Sequence, residues 1–590
     1  MMTICRGCPW FAISLLFAWD LAGASVSLQP SKPSPWQVGG IVTWTATASS
    51  GSPDAFWYRF RARRIGSPFR VWKDFGPQNT FEWTDAEHPG TFEIEVSARE
   101  RTSDSTSVAT AKYTLLSNAT ADRAAVIETS HPLVLLYSAP PCEEGSRMKV
   151  RFQSAGGFTQ DTPYKACSGG LSMNFYLAGL RAETEYFAYH IIDSGDSFEA
   201  GPVLTHTTRG ISTDLPDTTI LRTAPLGTPE PIVLQENVFA SQLATDPAGR
   251  VVWYYPSAPL SFMTRPAGGG TFFGIVQDPQ GDSWKQTLRE FNLIGLTVRE
   301  TNAGRINEQL KARGNRPINS FHHEALRLPD GNIAALAGVE QILTGVQGAG
   351  AMDVLGDMVI VLDANLNVVW TWDAFDHLDT HREATLGEQC LPNACPPLQL
   401  GASANDWTHA NAIEATTDGN LLISFRNQDW VVKVNYDSGE GNGDIIWKLG
   451  NGGDFKLAPA TPTSWFSHQH DPRFEPLSGD RLMILDNGNF RRDTDPNAAS
   501  RGQVYQLDES SKTAVLVSNF NLGRYSLAVG STERLSNGNY WFDAGFLPDA
   551  SGISDEVDAN GKSVFSVRTA APVYRSYRLA DMYSPVRGSR

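Results

Sequence analysis

The chain has 590 residues, which is too long for one ordinary core and predicts two to four domains. Its 52 glycines, 35 prolines and 10% aromatic residues suit an all-β protein with many turns. The formal net charge of −16 argues against a nucleic-acid-binding protein, because phosphate binding needs a concentrated basic surface and no run of Lys or Arg in the sequence is sufficient to supply one.

Residues 1–24 resemble a secretory signal peptide. An apolar run from Pro9 to Trp19 precedes an Ala-Gly-Ala site, and cleavage is expected after Ala24. A membrane anchor is the alternative, but Asp20 interrupts a run that is already too short to span a bilayer. The sequence therefore predicts a periplasmic or secreted protein without a membrane span.

Four cysteines follow the leader, and an even number in an exported chain predicts two disulfides. The simplest pairing joins sequence neighbours, Cys142 with Cys167 and Cys390 with Cys395. A zinc site is the competing interpretation of the CLPNAC segment. No second cysteine pair or His-x-x-x-His motif accompanies it, so disulfides are favoured.

The N-terminal part of the chain predicts two β-sandwich domains. Residues 27–117 alternate apolar and polar residues in short runs separated by Gly, Pro and Ser, which is typical of an immunoglobulin-like sandwich. Residues 119–210 form a second such unit, whose LAGLRAETEYFAYHIID segment resembles the end of a fibronectin type III domain. Neither unit has a cluster of polar residues that needs a chemical explanation, so both are expected to position or stabilise the remainder.

From residue 211 to residue 590 two hairpin types alternate, one turning at LPDGN-like tetrads and one of the form VxxLDxxxxVVW. Pairing one hairpin of each type gives a four-stranded unit. The sequence therefore predicts an all-β chain in which the sandwiches are followed by a six-bladed β-propeller. The expected blades lie near residues 220–255, 262–301, 322–372, 409–449, 468–517 and 530–580.

Histidines open the first strands of blades three, four and five, at His322 or His323, His409 and His470. The innermost strands of a propeller all start at the same end of the central channel, so these histidines should converge there. The hairpin that starts at His409 turns near residue 418, which places Arg426 opposite it.

Aromatic residues precede these histidines, notably Trp407 and Trp465. They predict a pocket floored by imidazoles and walled by aromatic rings. The alternative is that they cap the interfaces between blades.

Two chemistries could use the cluster. His468 and His470 have the H-x-H spacing of metal ligands and could join His409 and His323 around zinc or copper. Arg426 opposes this, because its fixed positive charge repels a dication. The other chemistry is transfer of a sulfuryl or phosphoryl group, whose anionic oxygens Arg426 and the histidines would stabilise while a neutral histidine attacks.

An ordered set of motifs resembles the bacterial arylsulfate sulfotransferases, which act without a nucleotide sulfate donor. The set is HHE before LPDGN, DWTHAN, ISFRNQ, IIWKLG, and QHDPRF followed by ILDNGN, and it covers roughly residues 215–580. The resemblance implies a six-bladed propeller without a cofactor. Its central histidine is transiently sulfurylated by an aryl sulfate and then passes the group to a phenol.

By this resemblance His470 is the nucleophile, and His409 and Arg426 hold the sulfuryl oxygens and assist departure of the phenolate. The HHE position is open between His322 and His323. The pair His323-Glu324 parallels His470-Asp471 and favours His323 as the catalytic residue. The residues expected to bind substrate are His322, His468, Asn411, Trp407 and Trp465.

Two other classes of function stay open. One is a secreted binding protein for a glycan or an anion, and the other is a metal- or quinone-dependent propeller oxidoreductase. The expected partners of the enzyme are a small-molecule aryl sulfate donor and a phenolic acceptor, with no nucleic acid and no membrane span. The natural donor and acceptor and the choice between monomer and homo-oligomer stay open.

Overall fold

The computed structural model describes residues 25–49, 55–120, 122–257, 262–391, 397–458, 465–476 and 478–586. Within these ranges the protein is nearly all-β, with 45 strands and three short α-helices. No helix in the described part is long and apolar enough to cross a membrane. The expected signal peptide, residues 1–24, lies outside the described residues.

The first eight strands form two sheets that enclose one core, with orders β1-β3-β6 and β2-β8-β7-β4-β5. Alternation of inward and outward residues decides their faces, as in β3, where Val42, Trp44 and Ala46 are buried. The strands are β1 (Val26–Pro30), β2 (Trp36–Gln37), β3 (Val42–Ala48), β4 (Phe56–Arg64), β5 (Arg70–Gly76), β6 (Thr80–Trp83), β7 (Gly90–Glu100) and β8 (Thr106–Leu116).

The next nine strands form a second pair of sheets, β14-β10-β9 and β12-β11-β15-β16, with β13 and β17 paired to β11 and β15. A disulfide joins Cys142 and Cys167 in the core between them. Cys390, in the later part of the chain, is also disulfide-bonded, and Cys395 lies outside the described residues. The strands are β9 (Ala125–Glu128), β10 (Leu135–Ala139), β11 (Arg147–Ser154), β12 (Gln160–Asp161), β13 (Lys165–Ala166), β14 (Met173–Leu177), β15 (Glu185–Asp193), β16 (Phe198–Ala200) and β17 (Leu204–Thr207).

The remaining strands build six further sheets. Tight turns separate their hairpins, with Gly331 and Gly419 in the left-handed region at φ +89° and +81°. The elements are β18 (Thr218–Arg222), β19 (Ile232–Asn237), β20 (Leu243–Thr245), β21 (Val251–Tyr254), β22 (Phe262–Gly268), β23 (Thr271–Val276), β24 (Thr287–Asn292), β25 (Thr297–Asn302), α1 (Ala303–Arg313), β26 (Ser320–Arg327), β27 (Ile333–Thr344), β28 (Ala351–Leu362), β29 (Val368–Asp373), α2 (Ala374–His377), β30 (Gln389–Cys390), β31 (Ala404–Asp406), β32 (Ala410–Ala415), β33 (Leu421–Phe425), β34 (Trp430–Val434), β35 (Ile445–Gly450), β36 (Lys456–Ala458), β37 (His470–Phe474), β38 (Arg481–Asp486), α3 (Asn489–Thr494), β39 (Arg501–Asp508), β40 (Thr513–Asn521), β41 (Thr532–Arg534), β42 (Tyr540–Ala544), β43 (Gly552–Val557), β44 (Ser563–Thr569) and β45 (Val573–Leu579).

These six sheets are the blades of a closed β-propeller. Blade one is β45-β19-β20-β21, and blades two to six start at β22, β26, β32, β37 and β41. The first strands of blades two to six contact one another in turn, and β45 contacts both β22 and β42, which closes the ring. The inner strands therefore surround one central channel.

Hydrophobic cores between neighbouring blades hold the ring together. One such core lies at every blade junction, including the junction of blade six with blade one, where Trp541 and Phe565 pack with Val233. Between blades three and four, the rings of Trp372 and Phe425 lie 5.8 Å apart. Burying one such side chain stabilises the fold by about 1.5–3 kcal/mol.

The ring closes differently from the simple repeat predicted above. Strand β18 pairs with β44 and belongs to blade six, whereas β45 pairs with β19 and belongs to blade one. The expected blades 220–255 and 530–580 therefore exchange their terminal strands. Local hairpin patterns identify strands but carry no signal for pairing between segments more than 300 residues apart.

The first sandwich attaches to blade two. Strand β5 runs parallel to β25, joined at Lys73 and Glu300, whose side chains form a 3.4 Å ion pair. Trp57 of the sandwich stacks on Trp284 of the propeller with ring centroids 6.0 Å apart. This contact braces the outer edge of blade two.

Candidate functional site

The three histidines that the sequence singles out meet at the channel end of the inner strands. β-Bulges interrupt the first strand pair of blades three, four and five where the histidines lie. His323 and His409 have positive φ values of +54° and +50°, which are uncommon for residues other than glycine. Bulges of this kind re-aim side chains, here toward the channel, and such strained residues concentrate at functional sites.

The imidazoles are close neighbours. The ring centroids of His323 and His409 lie 5.0 Å apart, and the ring of Tyr574 lies 5.7 Å from that of His323. The charges of Arg575 and His409 act on both His323 and His470. The site therefore combines residues of blades three, four and five with the first strand of blade one.

His470 is almost fully buried, and its ring contacts define the position of its proton. Its Nδ1 atom lies 2.7 Å from Asn487 Oδ1 and 3.2 Å from the His468 carbonyl oxygen. The Val529 amide donates to its Nε2 atom over 3.2 Å. His470 thus sits between two acceptors on one side and a donor on the other.

His470 and His323 are held neutral. Burial is the main cause that lowers the pKa of His470 well below its usual value, and the charges of Arg426 and His409 add to it. The pKa of His323 is also well below normal, first through burial and then through the neighbouring histidines and Arg575. A neutral imidazole keeps a lone pair that can attack an electrophile or accept a proton.

Arg426 lies opposite His409, as the hairpin geometry predicts, and its amide donates to the His409 carbonyl over 3.2 Å. Its side chain is 12% exposed and lies 3.9 Å from Glu388. In the described part of the chain its Nη1 atom donates to Asn427 Oδ1 over 2.6 Å, while its buried Nε atom has no hydrogen-bond partner. Donor capacity therefore remains for an anionic ligand.

His409 is partly exposed, with 27% of its side chain accessible. Its Nδ1 atom lies 2.6 Å from Asp406 Oδ2. Burial acts to raise the pKa of Asp406, but the charges of His409 and Arg426 outweigh it and hold that pKa below normal. The ionised carboxylate accepts a hydrogen bond from Nδ1, so the Nε2 side of His409 is left to face the site.

His322 lies behind His323 rather than beside it in the site. The two Nδ1 atoms are 2.9 Å apart, and His322 Nε2 lies 2.9 Å from Asp357 Oδ1. The other oxygen of Asp357 accepts from the Thr408 hydroxyl and the Ala410 amide. The structure thus makes His323 the residue that faces His409, with His322 and Asp357 supporting it.

His468 is fully buried and pairs with two carboxylates instead of facing the imidazole cluster. Its Nε2 atom contacts Glu388, and its Nδ1 atom lies 3.1 Å from Asp429. Burial alone would lower the pKa of His468, but Asp429 and Glu388 outweigh it and raise the pKa. The sequence predicts that His468 binds substrate. In the structure it instead links Glu388 to Asp429 near Arg426.

Asn411 lies beneath the imidazoles. Its side-chain Nδ2 atom donates to the Gln469 backbone carbonyl over 2.7 Å. Its backbone carbonyl oxygen accepts from the Tyr574 hydroxyl over 2.8 Å. Its buried Oδ1 atom has no hydrogen-bond partner within the described ranges. Asn411 therefore ties blade four to blade five and to the closing strand β45.

The structure does not bring Trp407 and Trp465 into the cluster. Trp407 is fully buried in the core between blades three and four, where its indole donates to the Arg382 carbonyl over 2.8 Å. Trp465 stacks on Tyr505 in the core between blades four and five, at 5.7 Å between centroids. Burying a wide apolar indole ring in the core between two blades stabilises the fold more than placing it in a channel lined by charged groups would.

A buried ion network fills the channel below the histidines. Glu324 pairs with Arg265 at 2.7 Å and with Arg575, and Asp471 pairs with Arg473 at 2.9 Å. Removing one member would strand a buried charge, so the network fixes the inner strands relative to one another. Alternating charges on the first strands are the sequence signal that could have indicated it.

Four residues of the site escaped the sequence-based prediction: Glu388, Asn487, Tyr574 and Arg575. Asn487 lies in the ILDNGN motif, but the sequence pattern predicts no contact for this residue. Tyr574 and Arg575 reach the site only because β45 closes the ring. Within the described ranges, no group of three or more His, Cys, Asp or Glu side chains could hold a metal ion.

Fold and site together define a β-propeller protein whose channel holds two neutral histidines, His323 and His470, close to the charges of Arg426 and Arg575. Residues 204–578, more than half of the chain, match the family Arylsulfotransferase (ASST), and residues 126–209 match the Arylsulfotransferase Ig-like domain. The protein belongs to the arylsulfotransferase family and is a sulfotransferase enzyme. Its family membership indicates small-molecule donor and acceptor substrates.

The match to the Ig-like domain falls on the second sandwich, and the first sandwich lies outside both matched regions. A search of curated proteins found no match. The disulfide Cys142–Cys167 is consistent with an extracytoplasmic protein.

Solved structures similar to this chain include domains FN1–FN3 of chicken CNTN1, at 15% identity and a TM-score of 0.13, covering 31% of this chain and 64% of that one. A two-domain fibronectin type III segment of chicken tenascin shares 15% identity, with a TM-score of 0.14 and coverages of 31% and 98%. The purple acid phosphatase PPD1 from yellow lupin (Lupinus luteus) shares 12%, with a TM-score of 0.15 and coverages of 33% and 43%.

Proposed function

We propose that this enzyme moves a sulfuryl group from an aryl sulfate ester to a phenolic acceptor through a sulfohistidine at His470. The observation that carries the proposal is the state of that residue. His470 is buried and neutral beside Arg426, and it holds its proton on Nδ1, so its Nε2 lone pair can attack sulfur. Arg426 and His409 lie on the adjacent blade and are suited to hold the sulfuryl oxygens.

In the first step the His470 Nε2 lone pair forms a bond to sulfur while the bond from sulfur to the aryl oxygen breaks. The electron pair of that bond leaves with the phenolate. Negative charge on the sulfuryl and phenolate oxygens is stabilised by the guanidinium of Arg426. The sulfuryl group replaces the Val529 amide as the neighbour of Nε2.

In the second step the oxygen of a phenolic acceptor forms a bond to the sulfur while the bond from sulfur to His470 Nε2 breaks, and the electron pair of that bond returns to Nε2. The proton of the phenol moves to a base. His323 fits this role because the carboxylate of Asp357 accepts from His322 Nε2, which makes His322 Nδ1 the acceptor for the Nδ1 proton of His323. The His323 Nε2 atom then carries a lone pair. His322 thus assists through His323.

The propeller, residues 211–590, is proposed as the catalytic domain, with residues 27–117 and 119–210 as supporting sandwiches. We place the enzyme in the periplasm or outside the cell. The buried disulfide supports this location, because disulfides persist in oxidising compartments.

The experiment is turnover of a nitrophenyl sulfate by the purified enzyme. The first phenol should be released in a burst before any acceptor is added, and kinetics with acceptor should be ping-pong. The peptide that contains His470 should gain the mass of one SO₃ group, and His470→Asn should lose both the burst and the label. Sequential kinetics, or a label that persists in His470→Asn, would contradict the proposal.

A further inference from the structure

We infer that Asn487 is a positioning residue that locks His470 in the neutral tautomer with its proton on Nδ1. This inference deepens the proposed function and rests on it for its chemical meaning. The geometric observation itself, however, does not depend on the reaction. Asn487 is fully buried in the turn that follows strand β38.

The Nδ1 atom of His470 faces two oxygen atoms. Asn487 Oδ1 lies at 2.7 Å and the carbonyl oxygen of His468 at 3.2 Å. Neither an amide oxygen nor a backbone carbonyl can donate a hydrogen bond, so Nδ1 must carry the proton.

The orientation of the Asn487 amide is fixed independently of the histidine. Its Nδ2 atom donates to the carbonyl oxygens of Ser526 and Val529, each over 3.1 Å. The reversed amide would place its oxygen against these two carbonyls, which is electrostatically unfavourable. The oxygen of Asn487 is therefore held toward His470.

The contact on the opposite side of the His470 ring also indicates that the proton is on Nδ1. The Val529 amide, which can only donate, lies 3.2 Å from His470 Nε2, so that atom bears the lone pair. Val529 has φ +56°, a strained conformation for a β-branched residue. Asn489 also holds the loop that contains Val529, because its Nδ2 atom donates to the Leu527 carbonyl over 3.1 Å.

Fixing the tautomer of His470 has a chemical consequence. A histidine protonated on Nε2 cannot attack sulfur from that atom, so a ring divided between tautomers is only partly reactive. When Nε2 bonds to sulfur, no proton leaves and the ring becomes cationic. Its Nδ1–H bonds to Asn487 and to the His468 carbonyl then become charge-assisted and strengthen as the bond to sulfur forms.

The tautomer is measured on the wild-type enzyme by long-range ¹H–¹⁵N NMR with ¹⁵N-histidine, which needs no activity. His470 signals are assigned by their loss in His470→Gln. The expected result is a protonated Nδ1 and an unprotonated Nε2. A protonated Nε2 in the wild type would overturn the inference, whereas absence of sulfuryl transfer would overturn only the proposed function.

Three variants test whether Asn487 acts by orienting the His470 ring or only by anchoring the loop that contains Val529. Asn487→Ala should slow sulfuryl transfer roughly 10- to 100-fold, which is the usual loss when the hydrogen-bond partner of a metal-ligating histidine is removed. It should also introduce the second tautomer of His470 in the NMR spectrum. Asn489→Ala is the matched control, since it frees the loop without touching His470. It should keep the wild-type pH profile and tautomer.

Asn487→Asp gives the readout that a structural role would not produce. A carboxylate at this distance should raise the pKa of His470 by about one unit or more, so the loss of activity on acidification should begin at higher pH than in the wild type. A rate reduced by the same factor at every pH would overturn the inference. So would an Asn489→Ala enzyme that shares the altered profile of Asn487→Asp.

Discussion

Arg426→Ala tests the charge that acts on His470, the proposed nucleophile. In the wild type this side chain is 12% exposed and donates to Asn427, and its buried Nε atom has no acceptor in the part of the chain that the structure describes. Low exposure means that water screens its charge weakly. In the proposed reaction the guanidinium would stabilise charge on the sulfuryl group in the transition state.

The expected loss is roughly 10²- to 10³-fold in kcat, or about 2.7–4 kcal/mol of transition-state stabilisation, as for removal of one preorganised donor. A second effect follows from the electrostatics of His470. Because the charge of Arg426 helps to lower the pKa of His470, its removal should raise that pKa and move the acid limb of the rate profile to higher pH.

The assay is release of nitrophenol and its transfer to phenol across a pH series, together with unfolding by urea. Arg426→Lys should recover only part of the rate, because a point charge lacks the forked donor. Arg382→Ala is the matched control. Arg382 binds the neighbouring Gln428 at 2.8 Å and stacks on Trp430, outside the imidazole cluster. A folded, fully active Arg426→Ala enzyme would refute the reasoning and make Arg426 a structural residue.

Three further predictions concern stability and composition. Asp429 and Glu388 raise the folded-state pKa of His468, so this pairing should stabilise the fold fully below about pH 6.5 and be lost as the pH rises through the folded-state pKa. The difference in urea stability between wild type and His468→Asn should therefore be largest below about pH 6.5 and shrink as the pH rises above it, and a constant difference would contradict this. His468→Asn should at most weaken the burst. Protein purified without chelator should carry well under one equivalent of zinc or copper, and chelation should leave activity intact; stoichiometric metal whose removal abolishes activity would favour a metalloenzyme. Denatured, unreduced mature protein, beginning near Ser25, should show no free thiols, whereas two or more would refute the paired cysteines.

Local patterns in the sequence were enough to predict the all-β class and the positions of most blades. Alternating apolar residues and glycine-containing turns act over a few residues, so each hairpin carries its own signal. The same locality places Arg426 opposite His409, because both belong to one hairpin. The family motifs rest on such short segments as well.

Only the tertiary structure decided how these pieces meet. The closing strand β45 brings Tyr574 and Arg575 to the imidazoles, although both lie more than 100 residues from His470 in sequence. The sequence pattern also could not place Trp407, whose indole fills a blade junction, or pair His468 with Glu388. Burial and ion pairing depend on which distant segments pack together. The free energies that decide these contacts arise only once the ring is closed.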